Sequence, residues 1–154
     1  IPYMEVKIYD KDPDKSQNTL NEVVNDSEVV FVSVPTPMRE DGTIDLSIVE
    51  SVFLEIQKEN TNKETVFVLK STVVPGTTRK LKKKYPGLRI VFNPEFLTER
   101  HARFDFLNQS RIVLGTERDI GDLATNRDIE KVKSLYEFRF HSNNFIISSK
   151  SFNI

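Results

Sequence analysis

Val29-Val30-Phe31-Val32-Ser33-Val34-Pro35-Thr36-Pro37 is the stretch from which the fold can be read. Residues 29–34 form an apolar run, as a strand covered on both faces requires. Two prolines close it and fix two backbone φ angles, which turns the exit of the strand into a rigid ledge. The same grammar repeats downstream. Residues 65–69 form a second strand that ends in Lys70-Ser71-Thr72-Val73-Val74-Pro75-Gly76, and residues 89–92 a third that ends in Asn93-Pro94-Glu95-Phe96-Leu97-Thr98-Glu99. Residues 4–9 alternate as a short strand ending at Asp10, and residues 111–114 and 144–148 complete the set.

Helical spacing fills the gaps. Residues 16–25 place Leu20, Val23 and Val24 on one face. Asp45 can cap a helix whose apolar positions are Ile48, Val49, Val52, Phe53 and Ile56. Residues 77–85 and about 129–138 give two more helices. Strands alternating with helices imply right-handed crossovers and a doubly wound, mainly parallel α/β sheet. In such a sheet, ligands bind in the crevice at the carboxyl ends of the strands, where all three loops lie.

Composition narrows the function. The 154 residues suit one domain spanning 1–154, and a formal net charge of -1 leaves no electrostatic footprint for nucleic acid or an anionic membrane. The basic run Lys80, Lys82, Lys83, Lys84 reads as the solvated end of a helix. There is no cysteine, so disulfides and thiolate metal sites are excluded, and no metal site is expected. No apolar run approaches the ~20 residues that cross a bilayer, so a cytoplasmic protein without a membrane partner is expected.

Taken together, the three loops resemble the UDP-glucose/GDP-mannose 6-dehydrogenase family, the nucleotide-sugar dehydrogenases. The resemblance runs from about residue 5 to about residue 148. It implies a Rossmann-like domain that binds NAD, a nucleotide-sugar substrate whose C6 alcohol is oxidised to the acid, and a homodimer in the complete enzyme. Two of the family's features have no counterpart here. The five glycines, at 42, 76, 87, 115 and 121, make no Gly-x-Gly-x-x-Gly turn for the pyrophosphate, and there is no cysteine for the family's covalent intermediate. The expectation is therefore a first domain without its first strand, Gly-rich turn and helix, and without the central and C-terminal domains. A non-catalytic remnant or binding module of the same fold is the alternative.

Candidate site residues follow loop by loop. Asp10 ends a strand where a carboxylate can accept both adenosine ribose hydroxyls and repel the phosphate of NADP, which favours NAD, with Lys11 beside it. The run Asp10-Lys11-Asp12-Pro13-Asp14 also reads as a plain polar turn. By resemblance, Val34, Pro35 and Thr36 lie against the cofactor, with Ser71 as a further contact. Thr72 carries a hydroxyl that donates and accepts at once, which suits orienting a water. By resemblance it touches the cofactor and supports catalysis, whereas Lys70 is assigned no chemistry because the family's general-base lysine lies in a later domain. Glu95 and Glu99 stand four residues apart and would share a face if the loop turned helically after Pro94. The resemblance gives Glu99 an acid–base role with contacts to cofactor and substrate, Glu95 an ordering role, and Phe96 and Leu97 contact with the nucleotide sugar.

Thr98 and Arg100 replace the arginine and glycine the family usually has in this loop, which removes a planar five-donor group. Local ion pairs must therefore differ, and Arg100 or Arg103 could substitute. His101 and His141 are given no role. The short segment between Asp10 and Val29 points to a compact subgroup.

Overall fold

A computed structural model of the chain describes residues 4–98, 100–109, 111–116, 123–140 and 145–148. The first helix, α1 (Leu20–Asp26), starts at a reciprocal cap. The Thr19 hydroxyl accepts from the Glu22 amide at 3.2 Å, and the Glu22 carboxylate accepts from the Thr19 amide at 2.7 Å. It buries Val23 and Val24 and leads into β1 (Val29–Val32), where Val30 and Val32 are buried while Phe31 is exposed. The next helix, α2 (Ser47–Glu59), buries Val49, Phe53 and Ile56 from the expected face.

Asp45 does act as a cap for α2, one residue before the formal boundary: its carboxylate accepts from the Ser47 amide at 2.9 Å and from Arg39 at 3.0 Å. The Ser47 amide, then its side chain, then Arg39 lower its pKa from 3.8 to about 2. With the folded value depressed, the contribution of this cap is fully present above pH ~3.8 and is lost as pH falls through about 2. Acid titration followed by circular dichroism is expected to show helix loss in that window, and Asp45→Asn to remove its pH dependence.

The remaining elements are β2 (Val66–Leu69), α3 (Thr77–Lys84), β3 (Arg89–Phe92), α4 (Ala102–Leu107), β4 (Ile112–Gly115), α5 (Leu123–Phe140) and β5 (Phe145–Ser148). Gly76 enters α3 at φ 86°, a left-handed conformation open mainly to glycine. Lys82, Lys83 and Lys84 occupy the last turn of α3, where their charge complements the helix dipole.

The five strands are ordered β1-β2-β3-β4-β5. β1, β2 and β3 are parallel, with Val29 opposite Val66 and Val66 opposite Arg89. β4 meets β3 antiparallel at Phe92 and Gly115, and β5 runs parallel to β4. Every residue of β2 is buried, as a central strand requires. Its side chains divide between two cores: Phe67 and Leu69 pack with Phe53, Ile56 and Leu81, while Val66 and Val68 pack with Ile129, Val132 and Tyr136. Helices therefore cover both faces, and the sheet is doubly wound. Among the described residues no helix is long and apolar enough to cross a membrane.

Three expectations need correction. Residues 4–9 form no strand: the Ile8 amide donates to the Asn18 side chain, its carbonyl accepts from the Gln17 and Asn18 amides, and Val6 is 72% exposed. Alternation makes a strand only where a neighbour offers a ladder, and these residues pair with none. The helix expected over 129–138 extends over 123–140, as α5. α4 was not anticipated, because a six-residue helix with no buried residue leaves little periodic signal.

Candidate functional site

Because β1, β2 and β3 are adjacent and parallel, their three exit loops converge on one end of the sheet. Backbone bonds join the strand ends there: Lys70 donates to Val32 at 2.8 Å, and Asn93 to Leu69 at 2.9 Å. Ser71 goes further. Its buried hydroxyl accepts from the Val34 amide at 2.9 Å and donates to the Val34 carbonyl at 2.8 Å. One side chain thus locks the Val34-Pro35-Thr36 ledge to the second loop, and the rigidity expected from the prolines is reinforced from across the sheet. Ser71→Ala leaves both Val34 groups without that partner. Chemical denaturation is expected to show a loss of about 1–3 kcal/mol.

Thr36 is half-buried and Thr72 exposed, and neither hydroxyl has a hydrogen-bond partner among the described residues. The third loop is anchored from below. Asn93 is buried, and its amide nitrogen donates to the Val113 carbonyl at 2.8 Å. Its amide oxygen accepts from Lys70 Nζ at 3.3 Å and from the Tyr136 hydroxyl in a short hydrogen bond. Lys70 Nζ also pairs with Glu95 at 3.2 Å and lies 5.8 Å from the centre of the Phe106 ring. Burial, and then the negative charge of Glu95, raise the pKa of Tyr136, so its hydroxyl remains a donor.

Beyond Glu95, Phe96 is 68% exposed beneath Arg111, whose guanidinium lies 5.7 Å from the ring centre, and Leu97 is half-buried. Residues 93–98 are not helical, and Glu99 lies outside the described residues. No helix over residues 93–98 therefore sets Glu95 on the face shared with Glu99 that their spacing predicts. Pro94 removes a backbone donor, and Asp105 captures Thr98 instead: its carboxylate accepts from the Thr98 amide at 2.9 Å and from its hydroxyl at 2.6 Å. The Thr98 hydroxyl and amide lower the pKa of Asp105. The departure at Thr98 thus replaces a long cation with a short tie between the loop and α4.

Asp10 and Lys11 lie elsewhere. They line a cleft of ≈ 610 Å³ together with Ser16, Thr19 and the last turn of α2 at Glu55, Lys58 and Glu59. This cleft shares no lining residue with the three-loop cluster. The Asp10 carboxylate accepts from the Asp12 amide at 2.8 Å, so it braces its own turn with one oxygen. The structure brings Val34, Pro35, Thr36, Ser71, Thr72, Glu95, Phe96 and Leu97 to one end of the sheet and leaves Asp10 and Lys11 apart from them.

Lys70 and Asn93 were missed as site builders. Tyr136 lies 43 residues from Asn93 in sequence, and no local pattern links them. A clue was present in Asn93 itself, a polar residue directly after a buried strand, which must find partners when covered.

Comparison with known proteins accords with this geometry. Residues 8–138 match the model of the UDP-glucose/GDP-mannose dehydrogenase family, NAD binding domain. An uncharacterized protein of Methanocaldococcus jannaschii is 40% identical over 119 residues, covering 75% of this chain and 13% of that protein. The UDP-glucose 6-dehydrogenase AglM of Haloferax volcanii is 37% identical over 106 residues, covering 61% of this chain and 25% of that enzyme. The solved UDP-glucose dehydrogenase of Pyrobaculum islandicum superposes with a TM-score of 0.69 at 27% identity, covering 89% of this chain and 32% of that one. The chain spans between 13% and 32% of the length of the curated relatives it matches. On the match over residues 8–138, the chain belongs to the UDP-glucose/GDP-mannose dehydrogenase family, as its NAD binding domain.

Proposed function

We propose that this chain is the NAD-binding part of a nucleotide-sugar 6-dehydrogenase, which oxidises the C6 alcohol of a UDP- or GDP-sugar to the uronic acid. The observation that supports this best is the cross-tied cluster of three loops at the carboxyl ends of parallel strands, on a chain of this family. The residues fit the nicotinamide half of NAD. Ser71 occupies both polar backbone groups of Val34, which leaves a fixed, half-apolar ledge, and the hydroxyls of Thr36 and Thr72 remain available. When bound, NAD supplies a hydride acceptor.

The chain's own residues then position and move protons. The ledge at Val34, Pro35 and Thr36 sets the distance from cofactor to substrate. Thr72 Oγ1 holds a water by donating and accepting together, the Glu95 carboxylate orders the site, and Glu99 serves as the acid–base group. Phe96 and Leu97 line the place of the nucleotide sugar. Asp10 serves the adenosine ribose, with Lys11 at the same turn.

The proposal extends to the whole polypeptide. A strand and Gly-rich turn pair with the outer edge of β1, where Phe31 is 43% exposed and no described strand lies. Central and C-terminal domains supply the lysine and cysteine, and the enzyme is a cytoplasmic homodimer without a nucleic-acid or membrane partner. In that enzyme, Thr72→Ala is expected to lower kcat by about 10²-fold with a much smaller change in the KM for NAD, measured by NADH formation with UDP-glucose and GDP-mannose. An unchanged kcat would remove Thr72 from the mechanism.

A further inference from the structure

Lys70 takes no part in the chemistry proposed above, yet it is held as few surface lysines are. Its side chain is 11% exposed, between the ends of β2 and β3. An ammonium taken out of water needs charged or strongly polar partners, and here it has two, Glu95 Oε2 at 3.2 Å and Asn93 Oδ1 at 3.3 Å. The Phe106 ring, 5.8 Å away, occupies another side. Glu95 has no other ion pair among the described residues.

We propose that Lys70 is a positioning residue that sets the Glu95 carboxylate and the Asn93–Leu97 loop for the reacting centre. This rests on the reading of the three loops as that centre. Asn93 is tied from several sides: its nitrogen donates to Val113, and its oxygen is shared between Tyr136 and Lys70. Lys70 extends those ties outward to Glu95, which has no second anchor among the described residues. One oxygen of Glu95 is held, and the carboxylate's orientation is set before any reactant arrives. Without the ammonium, Glu95 gains water and rotamer freedom, and the loop loses its link to β2.

Two measurements test this. In the 154-residue chain, nitrogen-detected NMR of the lysine ammonium groups is expected to show Lys70 in slow exchange with water, with that signal lost in Glu95→Gln. A Lys70 ammonium that exchanges as fast as that of Lys82 overturns the proposal, whatever the protein's activity. In the full-length enzyme, Lys70→Met is expected to lower kcat by about 10- to 100-fold while the KM for NAD stays within about threefold. Lys70→Arg should restore part of the loss, and Lys84→Met, on the far end of α3, should leave kcat unchanged. A Lys70→Met enzyme with wild-type kcat overturns the proposal. A wild-type enzyme that forms no NADH with either sugar nucleotide contradicts the dehydrogenase reading instead, and the exchange measurement still decides whether Lys70 holds Glu95.

Discussion

Arg89→Met is expected to destabilise the chain by about 3–5 kcal/mol, because it strands a buried carboxylate. Arg89 opens β3 and reaches Asp128 on α5, where its Nε donates to Asp128 Oδ1 at 2.6 Å and a second nitrogen pairs with the same oxygen. The Asp128 side chain is 6% exposed. On the outer side, Arg89 pairs with Glu64 at 2.6 Å, but Glu64 is 70% exposed and water screens that pair. Asp128, then Glu64, raise the pKa of Arg89 against the cost of its burial, so its charge is permanent. The variant would leave Asp128 without Arg89 at one of the contacts between α5 and the sheet. Urea denaturation should show a large fall in the midpoint for Arg89→Met and a small one for Glu64→Gln. Equal small effects would mean that Asp128 finds other partners.

Asn93→Ala comes next, with an expected loss on the order of 3 kcal/mol. It removes a buried acceptor of the Tyr136 hydroxyl and a donor to the Val113 carbonyl, and leaves Lys70 with Glu95 as its charged partner. Tyr136→Phe should cost less, about 1 kcal/mol, since Lys70 still satisfies the Asn93 oxygen. Tyr136 also sets an alkaline limit. Its folded pKa lies above the ordinary 10.0, raised by burial and then by Glu95, so its contribution is fully present below pH ~10 and is lost as pH rises further. Alkaline unfolding should therefore begin later in Tyr136→Phe than in the wild type. Identical alkaline midpoints would show that another group sets the limit.

These two sites show how far the sequence could be read. β1, β2 and β3 were legible because buried parallel strands need apolar runs, and Pro35, Pro75 and Pro94 mark where each exit loop turns. The convergence of Val34, Ser71 and Glu95 followed from strand order alone. The ties that fix them did not. Ser71 to Val34, Lys70 to Glu95 and Asn93 to Tyr136 cross between elements far apart in the chain, and no periodicity encodes such partners. Residues 4–9 mark the opposite limit. Their alternation is a true strand signal, but a strand is a property of a pair, and no described neighbour completes it. Asp10 follows them and lines a cleft beside α2.

Whether this chain serves a nucleotide-sugar dehydrogenase is decided by NADH formation in the full-length polypeptide that carries it, with UDP-glucose and with GDP-mannose as substrates. Two NADH per sugar oxidised are expected with one of them, since an alcohol becomes an acid by two hydride transfers and the addition of one water, and no turnover once Glu95 and Thr72 are both replaced. Binding of NAD without any oxidation of either sugar nucleotide would contradict the dehydrogenase reading and leave a binding module of the same fold.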